Sequence, residues 1–239
     1  MQYINTFKRY EIKYRITYKQ KEELLDIMAP HMRLDSYGHS IIRNIYYDTE
    51  NFRLARRSLE KPVYKEKLRI RSYCTAGSDD SVFVELKKKC RSVVYKRRLA
   101  LARDTATEWI ENGVLPESDS QILREIEYFR NFYGGLSAAA FLSYERDAYY
   151  SLDGSEFRVT FDDNILARRD RLSLGCEPEG IRLMDDDYLL MEIKTPFGMP
   201  LWMSNALNRL KIYSSSFSKY GTAYTKLIYL KEGDLQYAF

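Results

Sequence analysis

The chain has 239 residues (28.3 kDa), 45% hydrophobic with 21 Tyr and 11 Phe, enough to bury a β-rich core as a single domain over residues 1–239. Its net charge of +4 is too small to mark a nucleic-acid binder, and no run of about 20 apolar residues could span a bilayer. Cys74, Cys90 and Cys176 are odd in number and lack metal-ligand spacing, which favours reduced thiols in a cytoplasmic protein over a disulfide framework.

In chain order, residues 11–16 alternate as a strand, residues 21–28 read as a short helix stopped by Pro30, and residues 40–48 return as a strand. Residues 49–61 form a turn or helix into a strand at 64–73. The Gly77-Ser78-Asp79-Asp80 turn leads to a strand at 82–89, and Cys90, Arg91 and Ser92 link it tightly to another at 93–101. Thr105 and Glu108 resemble a capping box. Ser118 precedes a helix carrying Ile122, Ile126 and Phe129, which Gly134 and Gly135 end. Strands follow at 139–150 and 156–166, split by the Asp153-Gly154 turn. After a polar loop at 170–187 comes an eighth strand at 188–195, then helical segments at 200–212 and 217–231. The pattern predicts an α+β protein: an antiparallel meander of eight strands with helices packed outside.

The faces of these strands differ in charge. Side chains at i, i+2 and i+4 share one wall. Glu11, Lys13 and Arg15 oppose Ile12, Tyr14 and Ile16; Lys65, Lys67, Arg69 and Arg71 oppose Leu68 and Ile70; Glu85, Lys87 and Lys89 oppose Val82, Val84 and Leu86. Lys96 and Arg98 share a face, Arg146 lies in an aromatic run, Arg158, Thr160 and Asp162 oppose Phe157, Val159 and Phe161, and Glu192 and Lys194 oppose Met191 and Ile193. The collected wall carries thirteen cations against four acids, Glu11, Glu85, Asp162 and Glu192, in a chain of 38 basic and 34 acidic residues. A solvated sheet face normally mixes signs, so this one is read as a tunnel lining for a polyanion.

Several motifs occur in order along these strands: RYEIKY at 9–14, Tyr47-Asp48, LRIR at 68–71, ELK at 85–87, YER at 144–146, FRVTFD at 157–162, EIK at 192–194 and FSKY at 217–220. Together they resemble the VTC domain, the polyphosphate polymerase domain of the vacuolar transporter chaperone complex, within the CYTH or triphosphate tunnel metalloenzyme superfamily. The resemblance implies an eight-stranded antiparallel β-barrel tunnel, with ATP or another nucleoside triphosphate and inorganic polyphosphate as partners. It further implies phosphate-binding roles for Lys13, Arg69, Arg71, Lys87, Lys96, Arg146, Arg158 and Lys219, and a metal-binding role for Glu192. Arg9 stands where the wider superfamily opens with Glu, as in VTC domains. Ser214, Ser215 and Ser216 stand where a second lysine commonly precedes the Phe-Ser-Lys motif.

Phosphoryl transfer needs charge neutralisation and in-line positioning more than a protein nucleophile. Lys13 with the planar forks of Arg69, Arg71, Arg146 and Arg158 are therefore the candidate catalytic clamps, and Lys67, Lys87, Lys96, Arg98, Lys194 and Lys219 the candidate substrate-binding residues. Glu192, with Glu11 or Asp162, is the expected holder of Mn²⁺ or Mg²⁺. Glu85 is read as a lumenal counter-ion, and Tyr47 and Asp48 as a structural pair at a strand end. No Walker loop and no GxSxG elbow occurs. A triphosphatase, with water as acceptor, and a non-enzymatic polyphosphate-binding module remain alternatives, whereas base-stacking platforms for nucleic acid are not evident.

Overall fold

The structure is a computed structural model and describes residues 6–60, 62–91 and 93–229, with side chains from Tyr10 onward. Eight strands form an antiparallel ring: β1 (Thr6–Thr17), β2 (Met32–Asp48), β3 (Tyr64–Ser72), β4 (Ser81–Cys90), β5 (Val93–Ala102), β6 (Ser137–Ser151), β7 (Arg158–Arg168) and β9 (Tyr188–Thr195). The order β6-β2-β3-β4-β5-β1-β9-β7 is closed by pairing of β6 with β7, and the two-residue β8 (Ile181–Arg182) flanks β7. The expected eight-stranded tunnel is the observed one. Closing the ring leaves each long strand a partner on both sides.

The alternation works inside out: the polar faces turn inward and the apolar faces turn outward beneath the helices. On the outer surface, Ile45, Tyr47, Leu68, Ile70, Val84 and Leu86 pack with Trp109 and Ile110 of α3 (Arg103–Asn112) and with Ile126 and Phe129 of α4 (Gln121–Phe132). Tyr14, Ile16, Val159, Phe161, Met191 and Ile193 pack against α1 (Tyr18–Met28) and α5 (Leu201–Arg209). Each outer wall is thereby kept from water, which supplies the hydrophobic term that a charged lumen cannot.

One end of the ring is plugged. There the inward residues Ile42, Tyr46, Tyr144 and Leu190 cluster with Tyr220, Ala223 and Tyr224 of α6 (Lys219–Tyr224), and with Leu227 and Ile228 of the following π-helical turn Thr225–Tyr229. Tyr46 and Tyr220 stack with centroids 4.6 Å apart. Asp48 ties this end together. Its carboxylate accepts the backbone N–H groups of Thr49, Leu54 and Ala55, capping α2 (Arg53–Leu59), and the Tyr220 hydroxyl at 2.8 Å. The Tyr47 hydroxyl donates to Glu111, so this pair is structural in its contacts.

Some boundaries differ from the sequence reading. β2 starts at Met32 because residues 32–34 already pair with the end of β6, and a register shift follows before His39 with Gly38 at φ +57°. The polar stretch Asp35 to His39 hides that extension in the sequence. The Thr105 box does not form: α3 begins at Arg103 directly after β5, so Thr105 lies inside the helix and its N-cap is Ala102. Ser120, not Ser118, caps α4, accepting the Leu123 N–H at 3.1 Å. α1 begins at Tyr18 because Thr17 and Gln20 form a reciprocal capping box. Lys61, Ser92 and residues 230–231 lie outside the described residues.

Candidate functional site

The ring encloses a cavity of about 900 Å³ lined by thirteen lysines and arginines and by three carboxylates, Glu11, Asp35 and Glu192. Twelve of the thirteen predicted wall cations are there. Arg15 is the exception, since β1 carries it past the end of the lumen, where its guanidinium lies 3.8 Å from the Tyr188 ring centroid and pairs with Asp185 at 2.5 Å. Lys219, delivered by α6, is the thirteenth.

On the wall built by β3, β4 and β5, Glu85 is the hub. It is fully buried, accepting both Nε and Nη2 of Arg69 at 2.8 and 2.7 Å, Arg98 Nε at 2.7 Å and Lys96 Nζ at 3.3 Å, with Arg71 at 3.8 Å. Burial would raise its pKa, but Arg71, Arg69, Lys96 and Arg98 outweigh that and hold it well below the carboxylate range. The arginines are fixed further from β2 and β6: Arg71 donates to Asn44 and to the Tyr144 hydroxyl at 2.7 Å, and Arg69 to the Tyr46 hydroxyl at 2.8 Å. Glu85 is thus a counter-ion, as the sequence indicated.

Across the tunnel, Asp162 and Glu192 share a second set of cations. Arg146 grips Asp162 with two bonds of 2.5 and 2.6 Å, and Lys219 Nζ lies 2.5 Å from Asp162 and 3.3 Å from Glu192. Glu192 is also within 3.6 Å of Lys13 and of Arg146 and 3.3 Å of Lys194, whose ammonium donates to Thr160 at 2.9 Å. Burial opposes ionisation of Glu192, yet Lys219, Lys194, Lys13 and Arg146 keep it well below its ordinary value. Burial, with Arg146 close by, depresses Lys194 to about 7 against the pull of Glu192.

Between the walls, Lys87 pairs with Glu11 at 2.5 Å, and Lys13 donates to the Phe217 carbonyl at 2.7 Å. Lys67 donates to the Ser218 hydroxyl and Lys65 to the Ser58 carbonyl. Lys89 and Arg158 complete the lining, with Arg158 in register beside Lys194. Like charges 4 Å apart repel by about 4 kcal/mol at an effective dielectric of 20. The carboxylates are too few to match the thirteen cations of the lining, so the lumen carries a surplus of positive charge.

Among the described residues no group of three or more His, Cys, Asp or Glu could hold a metal ion. Asp162, one of the three candidates, is fully buried with both oxygens engaged by Arg146 and Lys219, and in this arrangement it anchors those cations. Glu11 and Glu192 line the tunnel on neighbouring strands and influence each other's ionisation. Glu11 is paired with Lys87, and Glu192 with Lys219, Lys194, Lys13 and Arg146, so a divalent cation at this pair would share the carboxylates with those side chains and complete its shell with phosphate oxygens and water.

Sequence reading missed Asn44, Tyr46, Tyr144 and Ser218 as functional neighbours. β2 alternates Asn44 and Tyr46 with Ile45 and Tyr47, so neither face is distinctly polar. Only the chain order of Tyr46 and Tyr144 beside strand arginines could have pointed to phenols serving guanidinium groups.

No curated protein sequence matches the chain. Among solved structures, that of a "putative adenylate cyclase" from Bacillus halodurans has a TM-score of 0.55 at 14% identity, covering 90% of this chain and 96% of its own. A protein from Pyrococcus horikoshii has a TM-score of 0.46 at 14% identity, covering 94% and 98%. At 14% identity the likeness to the Bacillus halodurans structure is one of fold. The VTC domain profile matches residues 8–228, a span that takes in every strand of the ring from Lys8 onward and the plugging α6. With its cationic lumen and that match, the chain belongs to the VTC domain family.

Proposed function

We propose that this protein is a metal-dependent phosphotransferase that moves the terminal phosphoryl group of a nucleoside triphosphate, ATP, onto phosphate or a growing polyphosphate chain. The observation that carries this reading is the surplus of fixed cations along one continuous cavity, where thirteen lysines and arginines outnumber the carboxylates. A linear polyanion with a charge on every unit matches that surplus.

The residues divide the work. Arg69 and Arg98 are held in place by Glu85, and Arg146 by Asp162, so their remaining N–H groups are aimed before substrate arrives. Such preorganised donors stabilise the charge that spreads over the equatorial oxygens as the terminal bridging P–O bond breaks and the bond to the acceptor oxygen forms. Lys13, Lys67, Lys87, Lys96, Lys194 and Lys219 act as point charges along the rest of the chain. Glu192 with Glu11 would hold Mn²⁺ or Mg²⁺, which supplies Lewis-acid neutralisation of phosphate oxygens. Arg158, exposed at the lining, is placed to meet incoming substrate.

The test is incubation with ATP and either Mn²⁺ or Mg²⁺, followed by a gel stained for polyphosphate and a parallel assay of free phosphate. The expected result is a ladder that Glu192→Gln abolishes. Free phosphate without a ladder makes water the acceptor and the protein a triphosphatase. Tight tripolyphosphate binding with neither product makes it a binding module.

A further inference from the structure

At the rim of the tunnel between β2 and β6 the lining changes character. Between the register pairs Leu34–Tyr149 and His39–Asp147, the four β2 residues 35–38 stand against the single Ala148 of β6, so they bulge from the ring. Gly38, at φ +57°, supplies the left-handed turn of this bulge. His39 moors it on the outer face, with Nδ1 2.9 Å from Asp147 and Nε2 3.4 Å from Glu145. Asp35 accepts the Tyr37 N–H at 3.0 Å, and both residues line the cavity. Of the three lining carboxylates, Glu11 and Glu192 are paired with lysines, whereas among the described residues no cation pairs with Asp35. Tyr37 is 73% exposed, and among the described residues no other ring stacks on it.

An unpaired carboxylate repels phosphate oxygens and accepts hydroxyl and N–H donors, so Asp35 marks where the charged part of a ligand ends. A free aromatic face beside it suits a flat, uncharged ring. We propose that this bulge is the nucleoside subsite of the tunnel, with Tyr37 stacking on the base and Asp35 accepting the ribose hydroxyls. The inference rests on the nucleoside triphosphate donor proposed above and gives its uncharged part a place. The strand register then orders the phosphates. Inward residues run from Arg158 through Thr160 to Asp162 on β7, and from Ala148 to Arg146 on β6, toward the plugged end at Tyr144. With the nucleoside at the rim, the first phosphates meet Arg158 and Lys194, which are in register, and the terminal phosphate reaches Arg146 and Lys219.

The experiment titrates the full chain by calorimetry, with divalent metal removed by EDTA, using β,γ-imido ATP and, separately, tripolyphosphate, which has the phosphates and no nucleoside. The expected result is that Tyr37→Leu weakens β,γ-imido ATP about tenfold, as loss of one base stack does, and leaves tripolyphosphate within about twofold. Unchanged tripolyphosphate binding also reports that the variant is folded. Asp35→Asn keeps an oxygen to accept the Tyr37 N–H. It should tighten tripolyphosphate, because a repelling charge is gone, without tightening β,γ-imido ATP. A Tyr37→Leu change that is equal for the two ligands, or absent, overturns the subsite, and an equal change in Asp35→Asn overturns the ribose assignment; both leave the proposed function standing. Binding of tripolyphosphate without any binding of β,γ-imido ATP removes the nucleotide donor and this inference with it.

Discussion

On the β3–β5 wall a single carboxylate, Glu85, gathers Arg69, Arg71, Lys96 and Arg98, all supplied by three consecutive strands joined by short turns. On the facing wall Asp162 and Glu192 gather Lys13, Arg146, Lys194 and Lys219, which arrive from β1, β6, β9 and α6. The first set is mostly arginine, whose charge is permanent and whose planar forks are locked. The second is mostly lysine, whose protons can be exchanged when burial penalises them. The first wall is therefore a fixed template, while the second responds to proton and ligand and exists only when distant segments meet.

The largest effect should come from the hub of the template. Glu85→Leu leaves buried cations without their anion and should cost roughly 3–5 kcal/mol, read from the urea midpoint. Asp162→Leu should cost less because Glu192 still holds Lys219, and the reverse order would break the contrast between one hub and two. Lys219→Met should come next, at about 3 kcal/mol, since it cuts α6 from both carboxylates while Arg146 continues to neutralise them.

Both walls hold a lysine that burial makes easier to deprotonate, Lys96 on the first and Lys194 on the second. Folded Lys194 binds its proton less tightly than the unfolded chain, with a value of about 7 against 10.5, so between these values the unfolded chain binds more protons. Stability should therefore rise as pH rises from about 7 toward 10.5, and Lys194→Met should flatten that rise in the thermal midpoint. Tripolyphosphate bound at neutral pH should draw a proton onto Lys194, measurable by calorimetry in buffers of different ionisation enthalpy. The smallest change in stability belongs to Arg158→Ala, within about 0.5 kcal/mol. The same variant should weaken tripolyphosphate about tenfold, or about 1.4 kcal/mol, at low salt, and the loss should shrink as salt screens the site.

The template was the more legible wall in the sequence. Lys65, Lys67, Arg69 and Arg71 alternate with Leu68 and Ile70 in a local hairpin, and strand periodicity reports such faces directly. That alternation could not say how far a strand extends past the lumen, which is why Arg15 was placed inside. It was also silent on which acid faces the cavity and which lies beneath it. Asp162 reads like Glu192 in the sequence, but in the ring it stands opposite Arg146 in register and is consumed by it. The link from Lys67 to Ser218 spans too much chain for any periodicity to register.

The seam between β1 and β9 pairs Tyr10 with Thr195 and Thr17 with Tyr188, so it cannot form until both ends of that span exist. At about 5–20 residues per second a ribosome delivers the missing strand roughly 10 to 40 s after the first. Until then the future lumen is an open, positively charged sheet whose apolar back can already be covered by α3 and α4. Ring closure is the step of highest sequence separation and hence the slow one. A polyanion that bridges both walls should act as a template for it, so tripolyphosphate added during refolding is expected to speed recovery as well as stabilise the product.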